Sequence, residues 1–139
     1  MYIVEVKNKR PDFRVFIDLL YGYNHNVDTD GDAYPVYSRD WKELFIANRE
    51  KANSFIEIIA NEQSQELFEI KSDEQELEII SALYLYEYCG SNIIKDNKKL
   101  SLELINNFKN KFLIELERGR KSIWHKSNSN NPYCNDQEL

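Results

Sequence analysis

Tyr2, Val4 and Val6 alternate with Ile3, Glu5 and Lys7, a period of two that predicts a strand at the start of the chain. Pro11 and Asp12 then suit the first turn of a helix, with Phe13, Phe16, Ile17 and Leu20 following at helical spacing. Residues 11–21 therefore read as helix. The same stretch is rich in aromatic and β-branched residues, so a hairpin with the first strand is the alternative. Residues 22–40 contain Gly22, Gly31 and Pro35 among Asn24, Asn26, Asp28, Asp30 and Asp32, which predicts a long loop.

Three short apolar runs come next: Leu44-Phe45-Ile46, Phe55-Ile56-Glu57-Ile58-Ile59 and Leu67-Phe68-Glu69-Ile70. Polar connections separate them, as in an antiparallel meander. The central run alternates poorly, so its strand should be covered on both faces. Ser72 or Asp73, with Gln75 or Glu76 three residues on, has the form of a capping box opening a helix. Leu77, Ile80, Leu83 and Tyr84 give that helix a buried stripe, Ile79, Leu85 and Tyr86 widen it, and Gly90 marks its end. A last helix is predicted from about Leu100 to Lys126, with Leu104, Ile105, Phe108, Phe112, Leu116 and Ile123 on one face. Gly119, three residues past Leu116 on that face, predicts a close contact with another element. The expected architecture is a single α+β domain over residues 1–126: a small antiparallel sheet of three to five strands against two or three helices, the last one long. Residues 127–139 are expected to be a flexible polar tail.

Charge changes the picture because it is uneven. Between Ala52 and Ile94 nine carboxylates (Glu57, Glu62, Glu66, Glu69, Asp73, Glu74, Glu76, Glu78 and Glu87) stand against Lys71 alone, a net of −8 in a chain whose total is −6. A surface built from that third should repel nucleic acid and membranes and attract a basic partner. Lys109, Lys111, Arg118, Arg120, Lys121 and Lys126 do gather with Trp124 near the end. Glu103, Glu115 and Glu117 interleave with them, however, and the pI of about 5.0 argues against a nucleic-acid-binding domain. No apolar run approaches the ~20 residues that span a bilayer, the N-terminus lacks signal-peptide character, and two cysteines do not make a disulfide framework. The expected compartment is the cytoplasm.

Candidate chemistry is sparse. Asn26, Asp28, Asp30 and Gly31 match positions 1, 3, 5 and 6 of a calcium loop, but the position of the bidentate glutamate holds Tyr37. Any cation site there lacks two of its oxygens. His25 and His125 are the only histidines, which excludes zinc sites built on histidine pairs, and Cys89 with His125 is the one formal nucleophile–base pair. Glycines at 22, 31, 90 and 119 form no phosphate loop. Neither a cofactor nor a catalytic set is predicted. Tyr84 and Tyr88 share a helix face while Tyr86 points away, so at least one of the three should reach solvent, where tyrosine is a favoured interface anchor.

A strand meander followed by Glu69-Ile70-Lys71-Ser72-Asp73-Glu74-Gln75-Glu76-Leu77 leading into an apolar, tyrosine-bearing helix, in a small acidic chain, resembles the immunity proteins that accompany bacterial polymorphic and contact-dependent-inhibition toxins. The resemblance implies a stoichiometric inhibitor of a basic toxin domain, commonly a nuclease, that works by occluding the active site or substrate path. The candidate partner-binding residues, chosen on charge and aromatic character, are Glu74, Glu78, Tyr84, Tyr86 and Glu87 on the capped helix, with Asp28, Asp30 and Asp32 as a second patch. Two other readings remain beside it: a small metal-dependent enzyme or cation-binding domain using the Asp28–Asp32 loop, and a nucleic-acid-mimic inhibitor.

Overall fold

The computed structural model describes residues 1–135. Among them the chain forms seven strands, β1 (Tyr2–Val6), β2 (Val27–Gly31), β3 (Glu43–Asn48), β4 (Phe55–Ala60), β5 (Leu67–Lys71), β6 (Gly90–Lys95) and β7 (Lys98–Lys99). It also forms four α-helices, α1 (Val15–Tyr21), α2 (Gln75–Cys89), α3 (Leu102–Lys111) and α4 (Leu113–Arg120), and a 3-10 turn at Ile123–Lys126. All strand pairs are antiparallel, in one sheet of order β2-β3-β4-β5-β1-β6-β7. The α+β class stands, but the sheet is larger than the three to five strands expected, and the helices number four.

Each of the added strands has a physical cause that apolar spacing does not record. β6 and β7 form a hairpin whose turn residues Asp96 and Asn97 have φ of 52° and 65°, the paired left-handed conformation of a two-residue turn that Asp and Asn tolerate. β2 reads Val-Asp-Thr-Asp-Gly and has no apolar alternation at all; its backbone pairs residue for residue with β3, and the Asp32 carboxylate accepts from the Lys42 and Glu43 amides to close the connection. The expected long loop is thus partly a strand.

One face of the sheet is buried. Tyr2, Val4, Val6, Leu44, Ile46, Ile56, Ile58, Phe68, Ile70 and Ile93 point into it, and α2 lies across β1, β6 and β5. Trp41 is 1% exposed and Phe16 fully buried; they meet edge to face, as do Trp41 and Phe68, and the indole N–H donates to the Pro11 carbonyl at 2.8 Å. The helix expected over 11–21 begins at Val15, after a turn in which the Asp12 carboxylate accepts from the Arg14 amide.

At the start of α2 the capping box takes another form from that predicted. Glu74 is the cap position, Ser72 Oγ accepts from the Glu74 amide, and the Ser72 amide donates to Glu78 Oε2 at 2.8 Å, so the returning carboxylate comes from Glu78 and not from position 75 or 76. The helix ends at Cys89, and Gly90 follows where a Cβ would stand 2.8 Å from both Tyr86 Cα and Val4 Cγ1. The long final helix is broken instead at Phe112 (φ −109°, ψ 28°), whose side chain is buried. Past the break, Gly119 packs on α1, its missing Cβ leaving room for Leu19. Residues 127–135 of the expected tail lie against the body: Ser127 and Cys134 are buried, and Arg14 donates to the Pro132 carbonyl at 2.6 Å. The remaining tail positions, 136–139, lie outside the described residues.

Candidate interaction surface

The acidic third does not form one surface. Glu62 and Glu66 are exposed on the β4–β5 connection, Asp73, Glu74 and Glu76 gather at the start of α2, and only Glu57 and Glu69 lie on the sheet. Of the five candidates on α2, Glu78 and Tyr84 are buried, at 7% and 2% exposure, and offer nothing to a partner. Glu78 closes the helix start and lies 3.5 Å from the N-terminal ammonium; Tyr84 Oη lies 2.6 Å from His125 Nε2, and burial pushes its pKa well up. Glu74 receives hydrogen bonds from Lys51 at 2.5 Å and Ser54 at 2.6 Å, which hold its pKa below the usual carboxylate value. Glu87 is gripped by Arg120 in a two-bond fork, with Lys109 at 3.7 Å, and its pKa is likewise lowered. Tyr86 is half-buried beneath the Lys109 ammonium, while Tyr88, 41% exposed, is the tyrosine that reaches solvent. A helix so enclosed spends its polar groups on its own neighbours. Glu78 and Tyr84 are therefore withdrawn as surface residues, and Glu74 and Glu87 reach the surface already paired.

The second patch is placed differently. Asp28 and Asp30 are on a strand, not in a loop, and the register puts both on the face opposite the core: Asp28 lies beside Ala47 and Asp30 beside Phe45. Asp32 is at the end of β2 with its carboxylate engaged by two backbone amides. The extended backbone replaces the wrapped loop that calcium ligation through Asn26, Asp28 and Asp30 requires. Among the described residues no group of three or more His, Cys, Asp or Glu side chains could hold a metal ion.

Following the register across that face builds the surface. One row runs Asp30–Phe45–Glu57–Lys71 and the next Glu43–Ile59–Glu69–Ile3–Ile94–Lys99. Asp28–Ala47–Phe55 flanks them on one side and Leu67–Glu5–Asn92 on the other. Antiparallel sheets with one wet face ordinarily turn polar residues outward. Here Ile3, Phe45, Phe55, Ile59, Leu67 and Ile94 all point outward and are partly exposed, and Phe45 and Phe55 stack with centroids 5.7 Å apart. Six carboxylates share the face with two lysines, a net of −4. No helix covers it. At ~4.8 Å between strands and ~3.3 Å per residue its footprint is on the order of 500 Å², most of the ~800 Å² per partner of a standard interface.

Of the other exposed apolar side chains, Leu102, Leu104, Leu113 and Ile114 are strung along α3 and α4, and Tyr23, Tyr34, Tyr88, Ile123 and Tyr133 are scattered elsewhere, without a comparable array. No described helix is long and apolar enough to cross a membrane.

The sequence pattern does not single out Phe45, Phe55, Ile59 or Glu43 for the surface, and it marks Glu57 only as one charge of the acidic block. The signal was present in the poor alternation of Phe55-Ile56-Glu57-Ile58-Ile59, which reads as a strand covered on both faces; the chain covers only one. The chain matches no protein-family model, and neither a curated relative nor a similar solved structure was found.

Proposed function

We propose that this chain is a non-catalytic binding protein that lays its open sheet face on a basic protein and masks that partner's working surface, in the manner of an immunity protein. One observation carries the reading. The outward positions of β1, β3, β4, β5 and β6 have the apolar content of a face meant to be covered, and nothing among the described residues covers them. A self-cover is disfavoured by the face's own charge, since two copies would bring six carboxylates against six. A positively charged partner removes that repulsion, and Phe45 with Phe55 supplies the buried aromatic anchor on which affinity usually depends. The toxin-domain identity of the partner rests on the resemblance of the meander and capped helix to immunity proteins.

The test uses the product of the adjacent open reading frame, where this reading expects a basic toxin domain. Equimolar mixing should give a 1:1 complex on gel filtration. Phe45→Ala and the double reversal Glu43→Lys/Glu57→Lys should each abolish it while leaving the circular dichroism spectrum unchanged. A complex that survives both would remove the open face from the function.

A further inference from the structure

The open face has a depression of about 260 Å³ where β2, β3 and β4 meet, lined by Asp30, Gly31, Glu43, Leu44, Phe45, Glu57 and Ile59. Gly31 opens it. Its φ is 151°, and a Cβ there would collide with the Glu43 carbonyl, so the position holds no side chain. Phe45 lies at the centre with its ring 37% exposed and supported from beside by Phe55. Asp30 and Glu57 flank it on the neighbouring strands, and Glu43 is two residues back on its own strand.

Among the described residues the carboxylates of Glu43 and Glu57 accept no hydrogen bond, and that of Asp30 accepts only from the adjacent Gly31 amide at 2.8 Å, whereas the other acids of the face are held by side chains. Asp28 is 3.3 Å from Arg49, Glu5 holds Ser91, Asn92 and Lys7, and Glu69 accepts from Asn61 at 2.8 Å. Around Phe45, by contrast, no cation lies within ion-pair distance of Asp30, Glu43 or Glu57 among the described residues. A partly exposed aromatic ring flanked in a hollow by carboxylates that form no ion pair, with Lys71 opposite Glu57 as the nearest cross-strand lysine, is complementary to a flat cation. A guanidinium can stack on the ring and bond a carboxylate through two parallel N–H groups, which an ammonium cannot do.

We propose that the hollow around Phe45 is a seat for one arginine side chain of the basic partner, its guanidinium stacked on Phe45 and bonded to Glu57, Glu43 or Asp30. This deepens the docking reading above and rests on it for the identity of the occupant. The seat places the strongest attraction where the aromatic anchor already is. It also makes the partner's contact residue arginine rather than lysine.

The test is a ¹H–¹⁵N NMR titration of the full chain with N-acetylarginine amide, beside the lysine and the uncharged citrulline analogues. The arginine probe should give saturable shifts centred on the amides of Gly31, Phe45 and Glu57, with the lysine probe weaker and citrulline silent. Phe45→Leu, which keeps an apolar side chain on the strand, should weaken the arginine probe roughly fivefold, the size of an exposed cation–π contact. Glu57→Gln should weaken it further while leaving the spectrum folded. Absence of saturation, equal response to all three probes, or shifts centred elsewhere would overturn the seat. The two proposals fail separately. If the probe does not seat but the partner complex is still lost on Glu43→Lys/Glu57→Lys, docking stands without the arginine. If the probe seats and no basic protein binds the face, the seat stands and the docking reading falls.

Discussion

Asp12 is fully buried, and its carboxylate accepts from the Arg14 amide, from Arg14 Nε at 3.0 Å and Nη2 at 2.7 Å, and from Ser127 Oγ at 2.6 Å. Arg14 in turn lies 4.0 Å over the Trp124 ring and donates to Pro132, so one buried ion pair fastens the segment from Trp124 to Pro132 to the start of α1. Removing one partner of such a pair leaves an uncompensated buried charge. Asp12→Ala should therefore cost about 3–5 kcal/mol, read as a lower urea midpoint, and a loss under 1 kcal/mol would show that Arg14 finds solvent when released. None of this was legible beforehand. Asp12 looked like a helix-dipole residue, because the sequence cannot reveal that a serine and a carbonyl more than a hundred positions later converge on the same turn. Cys89, half of the one formal nucleophile–base pair, is buried, and burial pushes its pKa up to about 11, the opposite of what a thiolate nucleophile needs.

At the scale of elements, the meander, the capped helix and its stop at Gly90 were written in local chemistry, and the close approach at Gly119 was written in its spacing. A Cβ at Gly119 would lie 2.7 Å from Leu19 Cδ1, the free end of a side chain, and 3.3 Å from Tyr84 Cε1. Gly119→Ala should thus be nearly neutral, a small shift of Leu19 set against the better helix propensity of alanine. Gly119→Leu should overpack the crossing and cost on the order of 1–3 kcal/mol. Equal denaturation midpoints for the two variants would contradict the contact. The break at Phe112 escaped notice because apolar steps of three and four continue straight through one non-helical residue. Beyond it, the 3-10 turn puts His125 between Tyr84 and Tyr88, with Nε2 also 3.0 Å from the Gly119 carbonyl. Burial lowers the His125 pKa, with Arg39 lowering it too and the Gly119 carbonyl, Asp12 and Asp18 opposing. A base whose folded pKa is depressed contributes stability that is complete above its unfolded value near 6.5 and is lost as pH falls through the folded value. The urea midpoint should fall between pH 7.5 and 5.5 by more in the native chain than in His125→Gln, and parallel changes in both would refute the assignment. His25 is common to both proteins and cancels in the comparison.

For the whole molecule, charge along the sequence and charge on the surface turn out to be different quantities. The run of carboxylates between Ala52 and Ile94 is divided by the fold among a hairpin tip, a helix start, a buried cap, a neutralised fork and the sheet, while Glu5, Asp28, Asp30 and Glu43 join the sheet face from the rest of the chain. Strand order and register decide this assembly, and both depend on pairings such as β1 between β5 and β6 that no local pattern specifies. What did survive from sequence to surface was the sign of the field and the double-sided apolar character of β4. Those two features yield a kinetic prediction for the proposed basic partner. Carboxylates on an open, solvent-facing sheet act at range until screened, and the screening length is ~8 Å at physiological ionic strength. The association rate should fall steeply from low to physiological salt, and Glu43→Lys/Glu57→Lys should lower it further. Reversing Glu74 and Glu87, which are already paired with Lys51 and Arg120, should leave the on-rate much less changed. Truncating Phe55, which supports the anchor without carrying charge, should act mainly by raising the dissociation rate. Stopped-flow traces in which the α2 reversals slow association as much as the sheet reversals do would place the docking field on the helix and away from the open face.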